Sequence, residues 1–362
     1  MNVIIAGGGT GGHLFPAVAV GQEMMRERPD TRVLFVGASA GLEAKWLPQS
    51  GLRYELFEVH GLRGHSLLER VGAIGEFARA TLAARRLLHR ERAQLVVSAG
   101  GYASAPMAVA SILSRVPLVL LEQNTRPGLT NRLFWRFARK VCVGFADVAR
   151  YFGPAKVSVT GNPVRSNFGS REPSEAGQPV QILVLGGSSG AHRLNLGVLN
   201  AFKIWRNNVI NLRIVHQTGE ADVAMVRDGY DELALEAQAT SFIEDVPAAL
   251  AAASLVIARA GAMTVTEIAL SGRPAVFVPY PFHRDLQQVH NARVMERAYA
   301  AIIVLDDDHL AQNLARELSA LLADRARLRE MGRRASAVVE PGAAGRIARI
   351  CFDIVDPERK AA

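Results

Sequence analysis

The sequence predicts an α/β protein built from two doubly wound, parallel-sheet domains. Three observations lead there. Short β-branched and aliphatic runs alternate with helical stretches along the chain, glycine-rich turns stand where strands pass into helices, and the two halves repeat one another's turns in order.

The chain has 362 residues, more than one hydrophobic core usually organises and suited to two domains. Apolar residues make up 49% and charged residues 21%, which excludes a disordered chain and supplies ample core. In the first half the strands read NVIIAG, RVLFVG, LVVSAG, PLVLLEQ and KVCVGF. In the second they read VQILVLGG, NLRIVHQTG, LVIARAG and PAVFVPY. Such near-continuous apolar runs suit parallel strands covered on both faces. The charge-free stretch 93–114 contains Gly100, Gly101, Ser104 and Pro106, so it reads as strand, turn and helix rather than a membrane span. The opening MNVIIAG already reads as a strand, so a leader peptide is not expected. Cys142 and Cys351, far apart, read as two buried small hydrophobes rather than a disulfide or zinc framework.

The duplication is specific. IIAGGGTGGH (4–13) is matched by ILVLGGSSGAH (182–192), and SAGGYAS (98–104) by ARAGAMT (258–264). The polar stretch GSREPSEAGQP (169–179) marks the passage between halves. The expected domains are 1–165 and 166–340, with 341–362 a C-terminal helix packing back on the first. Ligands of open α/β sheets bind outside the carboxyl ends of the strands, so two such domains facing across a cleft would line it with their glycine turns.

Charge is unevenly spread. Residues 1–160 carry 20 Lys and Arg against 11 Asp and Glu, and the remainder carries 22 against 23. A basic first half points to an anionic surface or ligand. Nucleic acid is not expected, because no recognition motif or aromatic–basic interleaving accompanies the charge. The basic segment 61–92 carries Leu67, Val71, Ile74, Ala78 and Leu82 on one helical face, with seven arginines between Arg63 and Arg92 against three acids. Trp135, Arg136, Arg139 and Lys140 form a second aromatic–basic cluster. Such helices suit an anionic membrane surface, and the same stripe also suits a core face with a solvated edge.

A glycine turn before a helix leaves backbone N–H groups free beside the positive end of the helix dipole, which attracts phosphate or an electron-rich oxygen. Gly7, Gly9 and Gly12 fit the dinucleotide fingerprint, but the acid that fingerprint needs at the end of the second strand is replaced by Gly37. A nicotinamide enzyme is therefore disfavoured, which leaves another phosphate or sugar ligand, or glycines required only for tight helix–strand packing. His13 follows the first turn directly, and histidine is the side chain that ordinarily ionises near neutrality. At RAGAMTVTEIA the residues Ala262, Met263 and Thr264 open a helix whose amides could hold a diphosphate. Glu267 follows one turn on, placed either to accept both hydroxyls of a ribose or simply to favour the dipole. Asp285, Gln287, Gln288 and Asn291 cluster after another strand end, and Glu122, Gln123 and Asn124 after a further one. Arg165 stands near the domain passage. The triplet Asp306–Asp308 formally fits the D-x-D metal–nucleotide signature but precedes a helix, where acids favour the dipole.

In order along the chain, GGTGGHLFPA, GGYAS, EQN, GNPVR, GGSSGA, SFIEDV, RAGAMTVTEIA and DLQQVHNA together resemble the MurG family of peptidoglycan glycosyltransferases. The resemblance covers nearly the whole chain and implies the GT-B fold of two Rossmann-like domains. It implies inverting transfer of N-acetylglucosamine from UDP-N-acetylglucosamine to the C4 hydroxyl of the muramyl sugar of lipid I, giving lipid II, without cofactor or metal. By the same carry-over His13 is the base. The donor contacts are Thr10, Gly11, Gly12, Asn124, Arg165, Ser188, Ile243 (through its backbone), Ala262, Met263, Thr264, Val265, Thr266, Glu267, and Gln287 or Gln288. The family works as a peripheral protein on the cytoplasmic face of the bacterial inner membrane. Departures are the three glycines before Thr10, an unusual GFADVARYF (144–152), and PYPFHRD, one residue longer than in some relatives, which leaves the choice between Gln287 and Gln288 open. Rivals of similar architecture are a UDP-N-acetylglucosamine 2-epimerase and a diacylglycerol glycosyltransferase. A non-enzymatic nucleotide-sugar binder is the other class.

Overall fold

The structure is a computed structural model that describes residues 1–58, 67–164, 168, 179–187, 190–205, 211–282 and 285–357, with the backbone alone for 67–74 and 103. The chain divides into two compact units, residues 1–166 with 342–362, and residues 167–341.

The first unit runs β1 (Asn2–Ala6), α1 (Gly11–Glu27), β2 (Arg32–Ala38), α2 (Leu42–Trp46), β3 (Tyr54–Phe57), α3 (Leu67–Arg90), β4 (Leu95–Ser98), α4 (Ala105–Leu113), β5 (Leu118–Glu122), α5 (Leu129–Phe134), β6 (Lys140–Val143) and β7 (Val157–Val159). The second runs β8 (Val180–Leu185), α6 (His192–Trp205), β9 (Leu212–Gln217), α7 (Val223–Glu232), β10 (Ala237–Thr240), α8 (Val246–Ala252), β11 (Leu255–Ala258), α9 (Ala262–Leu270), β12 (Ala275–Phe277), α10 (Gln287–Glu296), β13 (Ala301–Ile303), α11 (Leu310–Ala323) and α12 (Arg325–Ser336). Then α13 (Ala343–Val355) returns to the first unit.

Every strand pairing is parallel. The sheet orders are β3-β2-β1-β4-β5-β6-β7 and β10-β9-β8-β11-β12-β13. In each, strand order reverses beside the first strand, between β1 and β4 and between β8 and β11. Those reversals are the topological switch points where open sheets bind ligands. The turns that leave them are the two rhyming pairs read in the sequence.

The apolar runs work as expected of doubly covered strands. Along β1, Ile4 and Ala6 enter one core cluster while Val3 and Ile5 enter the other, one on each face of the sheet. Four short strands were not among those read from the sequence: β3, β7 and β10, which are not continuous apolar runs, and β13, which lies in the apolar run AIIVL (301–305). They are the edges of the two sheets, where half-exposed residues relax the demand for an apolar run.

The second face of the first sheet is completed by α13. Its Ile347, Ala348, Cys351 and Phe352 join the cluster of Val3, Ile5, Val18 and Met24. Arg28 lies over the Phe352 ring at 4.0 Å, and the Arg346 guanidinium donates to the Thr160 carbonyl at 2.8 and 3.0 Å. Both cysteines are free and buried, and burial pushes the Cys142 thiol up to about 12. Stretch 93–114 forms β4, a turn and α4, and no helix among the described residues is long and apolar enough to cross a membrane.

Along α3 the buried face carries Ala80, Ala84, Leu87 and Leu88. Ala78 and Leu82, the described part of the stripe read in the sequence, lie exposed beside Arg79, Arg85 and Arg86, so that stripe is not core there. The side chains of Leu67, Val71 and Ile74, and Arg63 itself, lie outside the described residues. From α5 onward Leu129, Leu133 and Phe137 are exposed among Arg132, Arg136 and Arg139, with Arg136 stacked on Trp135.

Candidate functional site

The turn from β1 into α1 is held from beneath by a carboxylate that the sequence pattern did not single out. Glu43, from α2, is fully buried. Its Oε1 and Oε2 accept the Gly9 N–H at 2.9 and 3.0 Å, and Oε1 also accepts the Ala38 N–H at 2.8 Å. A Cβ at Gly8, Gly37 or Gly41 would come within 2.0, 2.3 and 2.3 Å of this side chain, so these glycines make room for it. The space beside Gly37, where a dinucleotide enzyme would place its ribose acid, is filled from another element.

Above that support α1 begins at Gly11 after an extended Thr10, whose side chain caps nothing and is exposed. Gly11, Gly12 and His13 are half-buried. His13 Nδ1 lies 2.9 Å from the Ala99 carbonyl at the end of β4. A carbonyl can only accept, so Nδ1 carries a proton, and in the neutral tautomer this leaves, the lone pair lies on Nε2. The ring packs on the Gly100–Gly101 turn. Gly101 has φ +82°, and a Cβ there would sit 2.3 Å from the Gly8 carbonyl, so only glycine lets the β1 and β4 turns meet.

Beside this turn, at the end of β5, stands Glu122, also buried. Its Oε1 accepts the Asn124 N–H at 3.0 Å and the Asn124 side-chain amide at 3.3 Å. Its Oε2 accepts Gly128 N–H at 2.9 Å and Asn131 Nδ2 at 2.8 Å. Burial raises the Glu122 carboxyl above the usual carboxylate range, against the pull of those donors and of nearby His13. Gln123 Nε2 donates to the same Ala99 carbonyl as His13, at 3.0 Å. The first unit thus gathers Thr10, Gly11, Gly12 and His13 at the switch point between β1 and β4, with the ring tautomer set by a backbone oxygen, and places Asn124 at the end of neighbouring β5.

In the second unit the β8 turn contains Gly187, which is described, and Ser188, which lies outside the described residues, as does Arg165. Gln217, buried at the end of β9, donates to the Gly187 carbonyl at 2.9 Å and accepts the Ile243 N–H at 3.0 Å. The glycine turn and Ile243 are therefore braced by one side chain, again not anticipated from the sequence.

The β11 turn leads into α9 with an extended Gly261 as its cap. Thr264 and Glu267, three residues apart, are the half-buried positions of the first turns. Val265 is buried and its N–H is spent on the Gly261 carbonyl at 2.9 Å. Thr266 is buried and its hydroxyl donates to Ala262. The side chains of Ala262 and Met263 are nearly buried, so their backbone amides are what the helix end presents. Gln288, in the first turn of α10, accepts both the Ala260 N–H at 3.1 Å and the Tyr280 N–H at 2.9 Å on Oε1. With Oε1 so engaged, Nε2 is the end of the Gln288 amide left to donate.

Of the acid triplet, Asp306 is buried and engaged by two arginines, Arg193 and Arg259, each at 2.8 Å. Asp307 accepts the His309 N–H at 2.9 Å. Asp306 therefore serves two ion pairs and Asp307 a turn.

Comparison with known proteins identifies the family. Residues 3–143 match the glycosyltransferase family 28 N-terminal domain and residues 181–347 the family's C-terminal domain. A "UDP-N-acetylglucosamine--N-acetylmuramyl-(pentapeptide) pyrophosphoryl-undecaprenol N-acetylglucosamine transferase" of Syntrophotalea carbinolica is 40% identical, over 98% of this chain and 99% of that protein. A protein of the same description from Anaeromyxobacter dehalogenans is 38% identical over 98% of this chain and 93% of its own. The crystal structure of Acinetobacter baumannii MurG superposes with a TM-score of 0.81 at 30% identity, over 97% of this chain and 99% of that one. A putative UDP-N-acetylglucosamine 2-epimerase of Listeria monocytogenes, at 14% identity and TM-score 0.71, shares the fold.

Proposed function

The chain belongs to glycosyltransferase family 28 and, within it, to the MurG family; on that premise we propose that this glycosyltransferase moves N-acetylglucosamine from UDP-N-acetylglucosamine to the C4 hydroxyl of the muramyl sugar of lipid I. The product is lipid II, the disaccharide precursor of peptidoglycan, on which cell shape and division depend. The observation that carries the reading is the contrast between the two switch points. One holds a histidine whose Nδ1 is spent on a backbone carbonyl, and the other a helix N-terminus beside a glutamine whose Oε1 is spent on two backbone amides.

The chemistry follows from those groups. His13 Nε2 takes the proton of the attacking hydroxyl as the bond to the anomeric carbon forms on the face opposite the leaving group, which inverts configuration. The transition state has oxocarbenium character. The departing UDP diphosphate is met by the amides of Ala262, Met263 and Thr264 with Ser188 and Arg165, where charge develops. Glu267 accepts the ribose hydroxyls, Ile243 meets the uracil through its backbone, and Gln288 Nε2 donates to a sugar oxygen. Thr10, Gly11, Gly12 and Asn124 contact the sugar and phosphates from the first unit. No step calls for a cofactor.

Because the acceptor is carried by undecaprenyl lipid, the first unit works as a peripheral protein on the anionic cytoplasmic face of the inner membrane. The exposed Leu82 with Arg79, Arg85 and Arg86, and Leu129, Leu133 and Phe137 among arginines, support this. The deciding measurement is UDP release from UDP-N-acetylglucosamine with purified lipid I, with diacylglycerol, and with no acceptor. Release should require lipid I. Epimerised sugar formed from donor alone would replace this reading with the 2-epimerase one.

A further inference from the structure

Asp306 lies three residues past β13, and its side chain has no solvent exposure. Oδ1 accepts Arg193 Nε at 2.8 Å, from the first turn of α6, and Oδ2 accepts Arg259 Nη2 at 2.8 Å, from the end of β11. Arg259 spends its other terminal nitrogen, Nη1, on the carbonyls of Val278 at 3.0 Å and Pro279 at 3.3 Å, just past β12. One carboxylate thereby laces together the ends of β11, β12 and β13 and the start of α6.

The lacing leads to one ligand-facing group. The backbone that Arg259 grips continues into Tyr280, whose N–H donates to Gln288 Oε1. The residue after Arg259 is Ala260, whose N–H donates to the same oxygen. Asn291 Nδ2 holds the Ala260 carbonyl at 3.2 Å. Two donors converging on Oε1 fix which end of the Gln288 amide is left to donate, and Arg259 grips the backbone that carries those donors.

We propose that Asp306 is a positioning residue for the transferred sugar: through Arg259 it sets the 278–280 backbone, and through that backbone the donating end of the Gln288 amide. It acts on the sugar end of the donor and not on the uridine diphosphate end. This rests on Gln288 being the sugar ligand in the proposed function. The physical reason for a selective effect is that Asp306→Asn removes the charge that holds a buried guanidinium in place. Arg259 then shifts, and the strand ends it grips shift with it. Misplacement of a positioning group by about 1 Å can cost up to ~100-fold.

The test is steady-state kinetics of the full-length chain with lipid I. Asp306→Asn should raise KM for UDP-N-acetylglucosamine by about 10- to 100-fold while inhibition by UDP stays within about threefold. Its discrimination against the C4 epimer, UDP-N-acetylgalactosamine, should shrink. Arg193→Gln, at a half-exposed side chain, should move the same ratio in the same direction by a smaller factor, and it carries the test should Asp306→Asn not fold. Parallel loss of UDP and UDP-sugar affinity would mark the network as general scaffolding and overturn the proposal, as would an unchanged donor KM in both variants. Gln288→Ala separates the premise: if it leaves donor KM and epimer discrimination unchanged, the sugar-site assignment itself fails and the proposal falls with it.

Discussion

Glu43 holds the N–H of Gly9 with both of its carboxyl oxygens, at 2.9 and 3.0 Å, so the first glycine turn carries its own internal acceptor. A turn that resembles a dinucleotide site is, at that amide, already filled. Glu43→Ala would strand the buried donors of Gly9 and Ala38, at about 1–3 kcal/mol each. A loss of about 2 kcal/mol lowers Tm by roughly 4–8 °C in a domain of this size. UDP affinity by calorimetry should fall by less than it does for Glu267→Ala, because most of the nucleotide's contacts are assigned to the other unit. A variant with wild-type Tm would remove Glu43 from its supporting role.

His13→Ala should lower kcat by about 10²–10⁴-fold with donor affinity nearly unchanged. The ring is fixed by Ala99 through Nδ1, so its replacement removes a lone pair and little packing. Loss of donor binding with kcat preserved would make His13 a binding group instead.

Glu267→Ala should weaken UDP binding by about 1.5–3 kcal/mol, the worth of hydrogen bonds to a charged acceptor. Glu267→Gln, which keeps one acceptor oxygen, should lose less. Calorimetric titration with UDP reads both, and equal affinities for all three proteins would take Glu267 out of the ribose site.

Sedimentation with vesicles tests the membrane reading. Binding should need phosphatidylglycerol, be absent with phosphatidylcholine alone, and decline as salt rises. Each basic residue near an anionic surface adds about 1 kcal/mol, so reversing Arg79, Arg85 and Arg86 to Glu should lower the partition constant by about 100-fold or more. UDP binding should not change. Equal binding to both lipids would remove the electrostatic part of the account.

The buried network under the second unit's site gives an acid-stability prediction. His216 Nδ1 accepts from the Tyr230 hydroxyl at 2.8 Å, and Nε2 donates to Asn195 Oδ1 at 3.0 Å. Burial lowers its pKa from 6.5 to about 3, the opposing pull of Asp222 notwithstanding. The folded ring stays neutral where the unfolded one would protonate, so its contribution is complete above 6.5 and is lost as pH falls from there toward 3. The slope is about 1.4 kcal/mol per pH unit. Urea melts of wild type and His216→Gln between pH 7 and 5 should show the wild type losing stability more steeply. Parallel slopes would mean the histidine is not held neutral.

Much of this protein was legible in one dimension. Periodicity and alternation revealed the interior strands, because a strand covered on both faces must be apolar at nearly every position, as Val3 to Ala6 are. The matched glycine turns revealed the duplication, because a parallel strand can enter a helix tightly only where side chains are missing. Eight ordered motifs then identified the family. Tertiary structure alone decided the rest, since it depends on which distant residues meet. Edge strands such as β10 bury half as much and leave little apolar signal. Glu43 looks like an ordinary acid on a short helix until Gly8, Gly37 and Gly41 are seen to open a space for it. Asp306 looks like part of a metal signature until two arginines from other elements reach it. A buried carboxylate takes its role from the donors around it, and those donors lie 34 residues away for Gly9 and 113 for Arg193.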